Sequence, residues 1–258
     1  MGRGAPPPPA QTDWAYFLDV DGTLIAFADS PGAAHVDDAL LSLLARLHQV
    51  CGGALALVSG RALADLECRL GRLRLPLAGQ HGLERRDAAN RVHVHAASLA
   101  ATRAMQRRLA PLLARYPGLV LEDKGLTLAL HYRQAPQLAG YLHRVVRGWL
   151  AQHGAGLQLQ KGKHVLEIKP AGGDKGSAIG AFMAEPPFRG RTPMYIGDDV
   201  TDEHGFAMVN RLGGYTIKVG QGRTCAGWRL PDVDAVRAWL AAALRDTGAH
   251  ACTRWTSG

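Results

Sequence analysis

The chain has 258 residues, 47% of them hydrophobic and 20% charged, and this composition excludes a wholly disordered protein. It exceeds the typical domain of about 100–200 residues, so we expect one large α/β domain or a medium domain with a small insert. No apolar run approaches the roughly 18 residues of a membrane-spanning helix. The N-terminus lacks the basic-then-apolar order of a signal peptide, so we expect a cytoplasmic protein without a membrane partner.

The net charge of +8 raises the question of nucleic-acid binding. Eleven arginines against four acids between Arg61 and Arg115 supply +7 of that charge. They are scattered along helix-like and loop-like sequence, without interleaved aromatic residues or a recognition motif. We therefore predict no nucleic-acid partner. A basic surface also attracts anionic substrates such as phosphate esters.

The first part of the chain alternates predicted strands and helices. Residues 1–12 include a proline run and are predicted to form a disordered tail. An apolar run at 15–18 predicts a buried strand, and apolar residues three or four apart predict a helix over 37–50. A second buried strand over 54–58 and a helix ending near Leu70 complete a βαβα order, which is typical of a parallel sheet.

The middle of the chain breaks this alternation. We expect a helix over 98–115 with a kink or break at Pro111. The elements predicted after it are strands at 119–123 and 126–132, a helix over 136–152, and strands near 156–161 and 164–168. The order α-β-β-α-β-β predicts an antiparallel sheet with two helices and hence a separate small domain over 98–169.

The alternation resumes after Pro170. The predicted helices and strands lie at 174–184, 193–197, 201–210, 215–219 and 231–245. The predicted fold class is therefore α/β. We expect a parallel-sheet core from residues 13–97 and 170–258, with an inserted α+β domain.

An acidic pair directly follows the first strand. Asp19 and Asp21 lie two residues apart, and Gly22 permits a sharp turn. In open α/β sheets, ligands bind beyond the carboxyl ends of the strands, where two such carboxylates can converge on one point. An ordinary Asx-rich turn is the alternative explanation.

A second acidic cluster follows the strand at 193–197. A helix N-terminus explains acids such as Asp202, but not adjacent Asp198 and Asp199 against a hydrophobic strand. Carboxylates crowded together need a cation, and a hard cation prefers oxygen ligands. Mg²⁺ fits best, because it takes one or two carboxylates together with waters and phosphate oxygens.

Two further segments offer groups that bind phosphate. Lys175 opens a helix, where the helix dipole disfavours a cation unless an anion is bound there. Ser59 supplies a hydroxyl at the end of the second strand. A solvated lysine and an ordinary helix cap are the alternatives. Together the four segments supply a nucleophilic carboxylate, a metal site and phosphate ligands at four ends of one sheet.

These segments resemble, in the same order, the motifs of the haloacid-dehalogenase-type phosphatases. The four segments are Asp19-x-Asp21-Gly22-Thr23-Leu24, Ser59-Gly60-Arg61, Lys175-Gly176 and Gly197-Asp198-Asp199-x-x-Asp202. The resemblance to this superfamily implies a Rossmann-like core. The α-β-β-α-β-β insert matches one of the superfamily's cap types. Further segments are similar to trehalose-6-phosphate phosphatases: Gly79-Gln-His81-Gly82, Glu122-Asp-Lys124-Gly125 and Glu167-Ile-Lys169-Pro170. The similarity runs from about Asp13 to Leu244.

The resemblance implies hydrolysis of trehalose 6-phosphate, a small-molecule sugar phosphate, in trehalose biosynthesis. Asp19 would attack the phosphate and become an aspartyl phosphate. Asp21 would protonate the leaving sugar oxygen and then activate water. Ser59 and Lys175 would hold the phosphoryl oxygens, with backbone N–H groups around Val20 and Asp21.

The resemblance also implies the ligands of the Mg²⁺ cofactor. These are the carboxylates of Asp19 and Asp198 and the backbone carbonyl of Asp21. Asp199 and Asp202 would orient a metal-bound water and Lys175.

The inserted domain is implied to bind the sugar through Glu122, Lys124 and Glu167. Glu122 and Lys124 lie two apart on one strand and so share a face. A solvated strand face is the alternative explanation. The roles of His81, Tyr132 and Arg133 stay open.

Two other functions stand beside this one. Another capped phosphatase, for sucrose or hexose phosphates, would carry the same core motifs. A non-catalytic anion-binding protein is disfavoured, because Asp19, Asp21 and Asp198 would repel phosphate without a metal.

Overall fold

The structure is a computed structural model that describes residues 6–26, 36–94, 99–153, 156–162 and 164–250. The chain forms two compact units. The core unit comprises the residues up to His93 and those from Asp174 onward, and the cap unit spans Val94–Gly173. The predicted insert, 98–169, lies inside the cap unit and is four residues shorter at each end.

The described residues contain twelve strands and seven α-helices. The strands are β1 Ala15–Leu18, β2 Leu55–Val58, β3 Leu77–Gly79, β4 Glu84–Arg86, β5 Val92–Val94, β6 Val120–Asp123, β7 Leu128–His131, β8 Leu157–Gly162, β9 Val165–Pro170, β10 Pro193–Gly197, β11 Tyr215–Val219 and β12 Trp228–Leu230. The helices are α1 Asp38–Val50, α2 Leu63–Leu70, α3 Leu99–Arg115, α4 Ala139–His153, α5 Lys175–Met183, α6 Glu203–Arg211 and α7 Val233–His250.

The core unit is built on an eight-stranded sheet in the order β12-β11-β10-β1-β2-β3-β4-β5. The strands from β12 to β3 are parallel, and β4 runs antiparallel to β3. All four residues of β1 and of β2 are buried. This explains their continuous apolar sequence, since a parallel strand in the middle of a sheet is covered on both faces. The predicted α/β fold is confirmed.

Helix α1 shows how the sequence sets its own boundary. The Asp37 side chain accepts a hydrogen bond from the Leu40 amide at 2.7 Å, which caps one of the free N–H groups of the first turn. Leu40, Leu44 and Leu47 are buried, so the spacing of three and four residues places one apolar face on the core. The predicted helix over 37–50 is confirmed.

The cap unit has the predicted element order around a four-stranded antiparallel sheet, β6-β7-β9-β8. Its apolar face carries Leu130 and Ile168, which form one core with Leu109 of α3 and Val146 of α4. Neighbouring residues of a strand point to opposite sides, so the residues between these apolar ones lie on the other face, which carries polar side chains. Register places Glu122 and Glu167 opposite the same residue, Ala129, so the two carboxylates share that polar face.

Two predictions differ from the structure in the regions outside the sheets. Residues 6–12 are not a free tail: Ala10 is buried, and the Pro8 carbonyl accepts a hydrogen bond from Trp239 Nε1 at 3.1 Å. Residues 1–5 lie outside the described part. Helix α3 continues through Pro111 without a break.

Four short strands, β3, β4, β5 and β12, were not predicted, since three residues are too few to show a period. Helix α7 extends to His250, past its predicted end at 245. No helix in the described part of the chain combines the length and hydrophobicity needed to cross a membrane.

Candidate active site

The site is formed where neighbouring parallel strands end. Strand β1 lies between β2 and β10, so their carboxyl ends meet at one edge of the sheet. Asp19 follows β1, Ser59 follows β2 and Asp198 follows β10. Asp19 and Ser59 are buried, and Asp198 is half-buried. The predicted convergence of strand-end residues is therefore present in the core unit.

Lys175 joins two carboxylates at the first turn of α5. Its Nζ donates to Asp19 Oδ1 at 2.8 Å and to Asp202 Oδ1 at 2.6 Å. The Lys175 side chain is 3% exposed, so a second and third charge must accompany it to offset the loss of hydration. Helix α5 itself is capped by Asp174, whose side chain accepts from the Ser177 amide at 2.7 Å. The lysine at this helix start therefore neutralises acids, and the alternative of a solvated lysine is excluded.

Asp202 acts as the hub of the acidic loop after β10. Its Oδ2 accepts from the backbone amides of Asp198 at 2.9 Å and Asp199 at 2.8 Å. Its Oδ1 accepts from Lys175 and from the Tyr195 hydroxyl. A Cβ at Gly197 would lie 2.4 Å from Asp202 Cγ, so only glycine leaves room for this arrangement. Both oxygens of Asp202 are therefore already engaged.

The crowded carboxylates have displaced pKa values. Burial, and then the Asp202 carboxylate, raise the pKa of Asp19 well above its ordinary value. Burial and Asp202 likewise raise the pKa of Asp198 to about 6. Burial alone would lower the pKa of Lys175, but Asp19 and Asp202 raise it, so the lysine stays protonated. One ammonium does not compensate three carboxylates.

The residues fit the predicted divalent cation. Oxygens of Asp19, Asp198 and Asp202 lie within 4.8 Å of one another. Asp198 Oδ1 is buried and accepts no hydrogen bond, so a buried lone pair is left over in the middle of the cluster. Because the Asp202 oxygens are engaged, Asp19 and Asp198 are the carboxylates available to a hard cation.

The Asp21 side chain binds Arg61, whereas that of Asp19, two residues earlier, binds Lys175. The two Asp21 oxygens accept from Arg61 Nε and Nη2, each at 2.6 Å. Ser59 Oγ accepts a hydrogen bond from the Arg61 backbone amide at 3.1 Å. Val20 is buried between the two acidic residues. The structure thus brings Asp19, Lys175, Asp198 and Asp202 together, and it turns the Asp21 side chain toward the end of β2.

Three side chains at the site escaped the sequence reasoning. Arg61 was part of a quoted motif without a role of its own. Tyr195 lies inside an apolar strand, where its hydroxyl leaves no pattern. Lys218 is buried in β11 and donates to the Asp198 backbone carbonyl. A lysine within an otherwise apolar strand is a signal that sequence reasoning can use, because a buried ammonium needs a partner.

Other predicted residues lie near the site or away from it. The Asp199 side chain is exposed, whereas its backbone amide donates to Asp202 Oδ2 and its carbonyl accepts from the Asp202 amide. The His81 amide donates to the Ser59 carbonyl at 2.9 Å, and its ring fills the space beside Gly60. Tyr132 belongs to the core of the cap unit, whereas Arg133 is exposed.

The cap residues predicted to bind sugar form one ion pair and one carboxylate–imidazole hydrogen bond on the polar face of the cap sheet. Lys124 Nζ lies 3.3 Å from Glu167 Oε1. Glu122 Oε2 lies 2.9 Å from His131 Nε2. The hydrogen bond with His131, and then the charge of Lys124, lower the pKa of Glu122. The three predicted residues thus lie on one face, and His131 is a fourth member that was not predicted.

Comparison with known proteins gives the same family for most of the chain. The model of the trehalose-phosphatase family matches residues 17–233. A trehalose-6-phosphate phosphatase of Escherichia coli is 46% identical over 237 residues, which cover 90% of this chain and 87% of the relative. A probable trehalose-phosphate phosphatase of Sinorhizobium fredii is 42% identical over 232 residues, covering 89% and 87%.

Solved structures agree on the fold. The C-terminal domain of a Candida albicans trehalose-6-phosphate phosphatase superposes with a TM-score of 0.78 at 23% identity, covering 89% of this chain and 92% of that one. A trehalose-6-phosphate phosphatase related protein superposes with a TM-score of 0.73 at 26% identity, covering 91% and 99%. The match to the family model and the identity to its members show that the chain belongs to the trehalose-phosphatase family.

Proposed function

We propose that this phosphatase hydrolyses trehalose 6-phosphate to trehalose and phosphate, as a step of trehalose biosynthesis. The relative that is 46% identical carries that activity in its name. The observation that carries the chemistry is the buried Asp19 carboxylate at the end of β1, held at 2.8 Å by Lys175 beside the free Oδ1 of Asp198. The alternative, a phosphatase for another sugar phosphate, is not favoured by the relatives.

Asp19 is the proposed nucleophile. Its oxygen attacks phosphorus, the bond from phosphorus to the sugar oxygen breaks, and an aspartyl phosphate forms. Asp21 gives its proton to the departing sugar oxygen. In the second step Asp21 takes a proton from water as that water attacks phosphorus and releases Asp19. Lys175 and Ser59 bind phosphoryl oxygens, so charge neutralisation and alignment supply most of the catalysis.

Mg²⁺ is the proposed cofactor, held by the carboxylates of Asp19 and Asp198 and, by resemblance to the family, by the Asp21 backbone carbonyl. When bound, it would neutralise charge on the phosphoryl group. Asp202 holds Lys175 and the two amides of the loop, which keeps the Asp198 carboxylate in position. Asp199 is exposed, so its proposed part is limited to contacts with solvent or metal-bound water.

Glu122, Lys124 and Glu167 are proposed to bind sugar hydroxyls. Charged acceptors and a donor on one face suit a sugar, which offers both kinds of partner. The cytoplasmic location and the absence of nucleic-acid and membrane partners stay predictions.

A panel of sugar phosphates tests this function. We expect phosphate release with Mg²⁺ from trehalose 6-phosphate at a kcat/KM at least about tenfold above that for sucrose 6-phosphate or glucose 6-phosphate. Asp19→Asn, purified in the same way, controls for contaminating phosphatases. Equal or higher kcat/KM for another sugar phosphate would contradict the assignment.

A further inference from the structure

The contact between Arg61 and Asp21 is the best-formed ion pair that the proposed chemistry leaves unused. Both oxygens of Asp21 accept from the guanidinium, each at 2.6 Å. The Arg61 side chain is 14% exposed and that of Asp21 27%. The two residues are 40 positions apart, and the pair joins the ends of two neighbouring parallel strands, β1 and β2.

Arg61 is itself held on its other side. Its Nη1 donates to Asp65 Oδ2 at 2.8 Å, and the same oxygen accepts from Arg69 Nε at 2.9 Å. The Arg61 amide donates to Ser59 Oγ. Burial alone would raise the pKa of Asp65, but the hydrogen bonds from Arg69 and Arg61 lower it, so Asp65 stays ionised. Asp65, in the first turn of α2, therefore holds the guanidinium on the side opposite Asp21.

A two-bonded guanidinium determines both the direction and the plane of the carboxylate it binds, which a lysine ammonium cannot do. Each carboxylate oxygen has two lone pairs. The fork of Arg61 uses one on each oxygen and leaves another on each for a proton. The two hydrogen bonds thus fix the orientation of the Asp21 carboxyl without occupying all of its lone pairs.

We propose that Arg61 is a positioning residue that aims the Asp21 carboxyl for proton transfer to the departing sugar oxygen. This inference rests on the proposed function, in which Asp21 is the acid of the first step. The reaction balances as before: the proton leaves Asp21 as the phosphorus–oxygen bond breaks, and water returns it in the second step. Arg61 itself forms and breaks no covalent bond.

The leaving group provides the test. A sugar alkoxide needs a proton to depart, whereas p-nitrophenolate departs without one. We measure formation of the phosphoenzyme by rapid quench in single turnover, with trehalose 6-phosphate and with p-nitrophenyl phosphate. We expect Arg61→Ala to slow formation from the sugar phosphate about 100-fold, in line with the loss of an acid catalyst, and from the aryl phosphate less than about threefold. Arg61→Lys keeps the charge but loses the fork, so it should show the same selectivity with at least about a tenfold loss.

Two control variants separate this role from others. Arg85 forms another two-bonded pair, with Glu185, at 2.9 Å for both bonds, and this pair does not involve Asp21. Arg85→Ala should change both rates by the same factor, because it removes a pair of similar form without touching Asp21. Asp21→Asn should show the selective loss even more strongly than Arg61→Ala. An Asp21→Asn variant without selectivity would refute the acid role in the proposed function itself.

The results for Arg61 decide the inference on their own. A selective Asp21→Asn variant with Arg61→Ala losing equally on both substrates would place Arg61 in phosphate binding or in the fold, and the inference would be overturned. Wild-type rates in Arg61→Lys would also overturn it, since charge alone would then suffice. If Arg61→Ala does not fold, the lysine variant decides between these outcomes.

Discussion

The core unit and the cap unit use charged residues in opposite ways. In the core, Lys175, Asp19 and Asp202 have side chains that are 3%, 6% and 0% exposed, and most of their polar atoms bind one another. On the polar face of the cap sheet, Glu122 and His131 are 43% and 36% exposed. The core groups are fixed before any ligand arrives, whereas Glu122 and His131 of the cap are open to solvent and to a ligand. This difference suits a core that carries out the reaction on the phosphate and a cap that recognises the sugar.

The free energies expected for buried and for exposed charge pairs differ in the same direction. Breaking one partner of a buried pair leaves an uncompensated charge, which costs about 3–5 kcal/mol. An exposed pair contributes about 0–1 kcal/mol to stability. Substitutions in the core therefore disturb both the chemistry and the fold, whereas substitutions of exposed cap residues report on the ligand. The predictions below test this division, from the largest expected effect to the smallest.

Asp19→Asn should lower kcat by several orders of magnitude on every substrate, because the nucleophilic carboxylate is lost. The asparagine has nearly the same size, and Asp202 still neutralises Lys175, so the fold should persist. Steady-state phosphate release measures the loss, and circular dichroism checks the fold. Residual activity above one per cent of wild type would assign the nucleophile elsewhere.

Removal of divalent cations should abolish phosphate release, and added Mg²⁺ should restore it. The two neighbouring acids sharpen this prediction: Asp198→Asn should weaken Mg²⁺ binding about tenfold or more, while Asp199→Asn should change it much less. The reason is that Asp198 offers a buried free oxygen and the Asp199 side chain is exposed. Titration calorimetry measures both affinities. Full activity in excess chelator, or equal losses in the two variants, would contradict this account.

Glu122→Ala, Lys124→Ala and Glu167→Ala should each lower kcat/KM for trehalose 6-phosphate. A hydrogen bond to a charged group contributes about 1.5–3 kcal/mol, so each loss should be about one to two decades. Hydrolysis of a small aryl phosphate should barely change, since that substrate has no second sugar to bind. Steady-state kinetics with both substrates give the ratio. Equal losses would place these residues in the fold or the chemistry, and unchanged rates would mean a solvated strand face.

Tyr195→Phe should destabilise the core by about 1.5–3 kcal/mol, because Asp202 loses a hydroxyl donor in a buried site. Urea unfolding gives the difference in unfolding free energy. Tyr215→Phe is the matched control, since its hydroxyl makes no hydrogen bond to the described residues. A similar effect in both variants would show that the hydroxyl contact with Asp202 adds nothing.

The smallest predicted effect concerns Asp87, a buried carboxylate that accepts from Arg91 and His93, each at 2.9 Å. Burial alone would raise the pKa of Asp87, but the hydrogen bonds from His93 and Arg91 lower it below the ordinary 3.8. A lowered folded-state pKa contributes stability that is present above the ordinary value and is lost as the pH falls. Asp87→Asn should therefore lower the unfolding free energy at pH 5 more than at pH 3. A difference that stays constant would refute this assignment.

The sequence predicted the parts of the fold that depend on local pattern. Strand β1 and helix α1 were predicted within one residue, because apolar runs and apolar spacing follow directly from burial. The three-residue strands β3, β4, β5 and β12 were missed, since they are held by their neighbours in the sheet and carry no period. Ala10 and Pro8 were assigned to a disordered tail on the basis of the proline run. Composition cannot reveal that Ala10 is buried or that the Pro8 carbonyl accepts a hydrogen bond from Trp239, which is distant in sequence.

The candidate site was predicted where acids follow strands, but its internal pairing was not. Asp19 and Asp21 look equivalent in the sequence, yet one contacts Lys175 and the other Arg61. That choice depends on which strands are neighbours and on how the end of β2 turns. His131 was missed for a similar reason: its contact with Glu122 follows from register across β6 and β7.

The most direct test of the account is to find where phosphate is bound during turnover. Wild-type protein is mixed with radiolabelled trehalose 6-phosphate and Mg²⁺ and quenched in acid within milliseconds, and the labelled peptide is then identified. We predict acid-stable, hydroxylamine-labile phosphate on Asp19, and no label in Asp19→Asn. Label on a serine or histidine, or on a carboxylate outside the end of β1, would contradict the central claim.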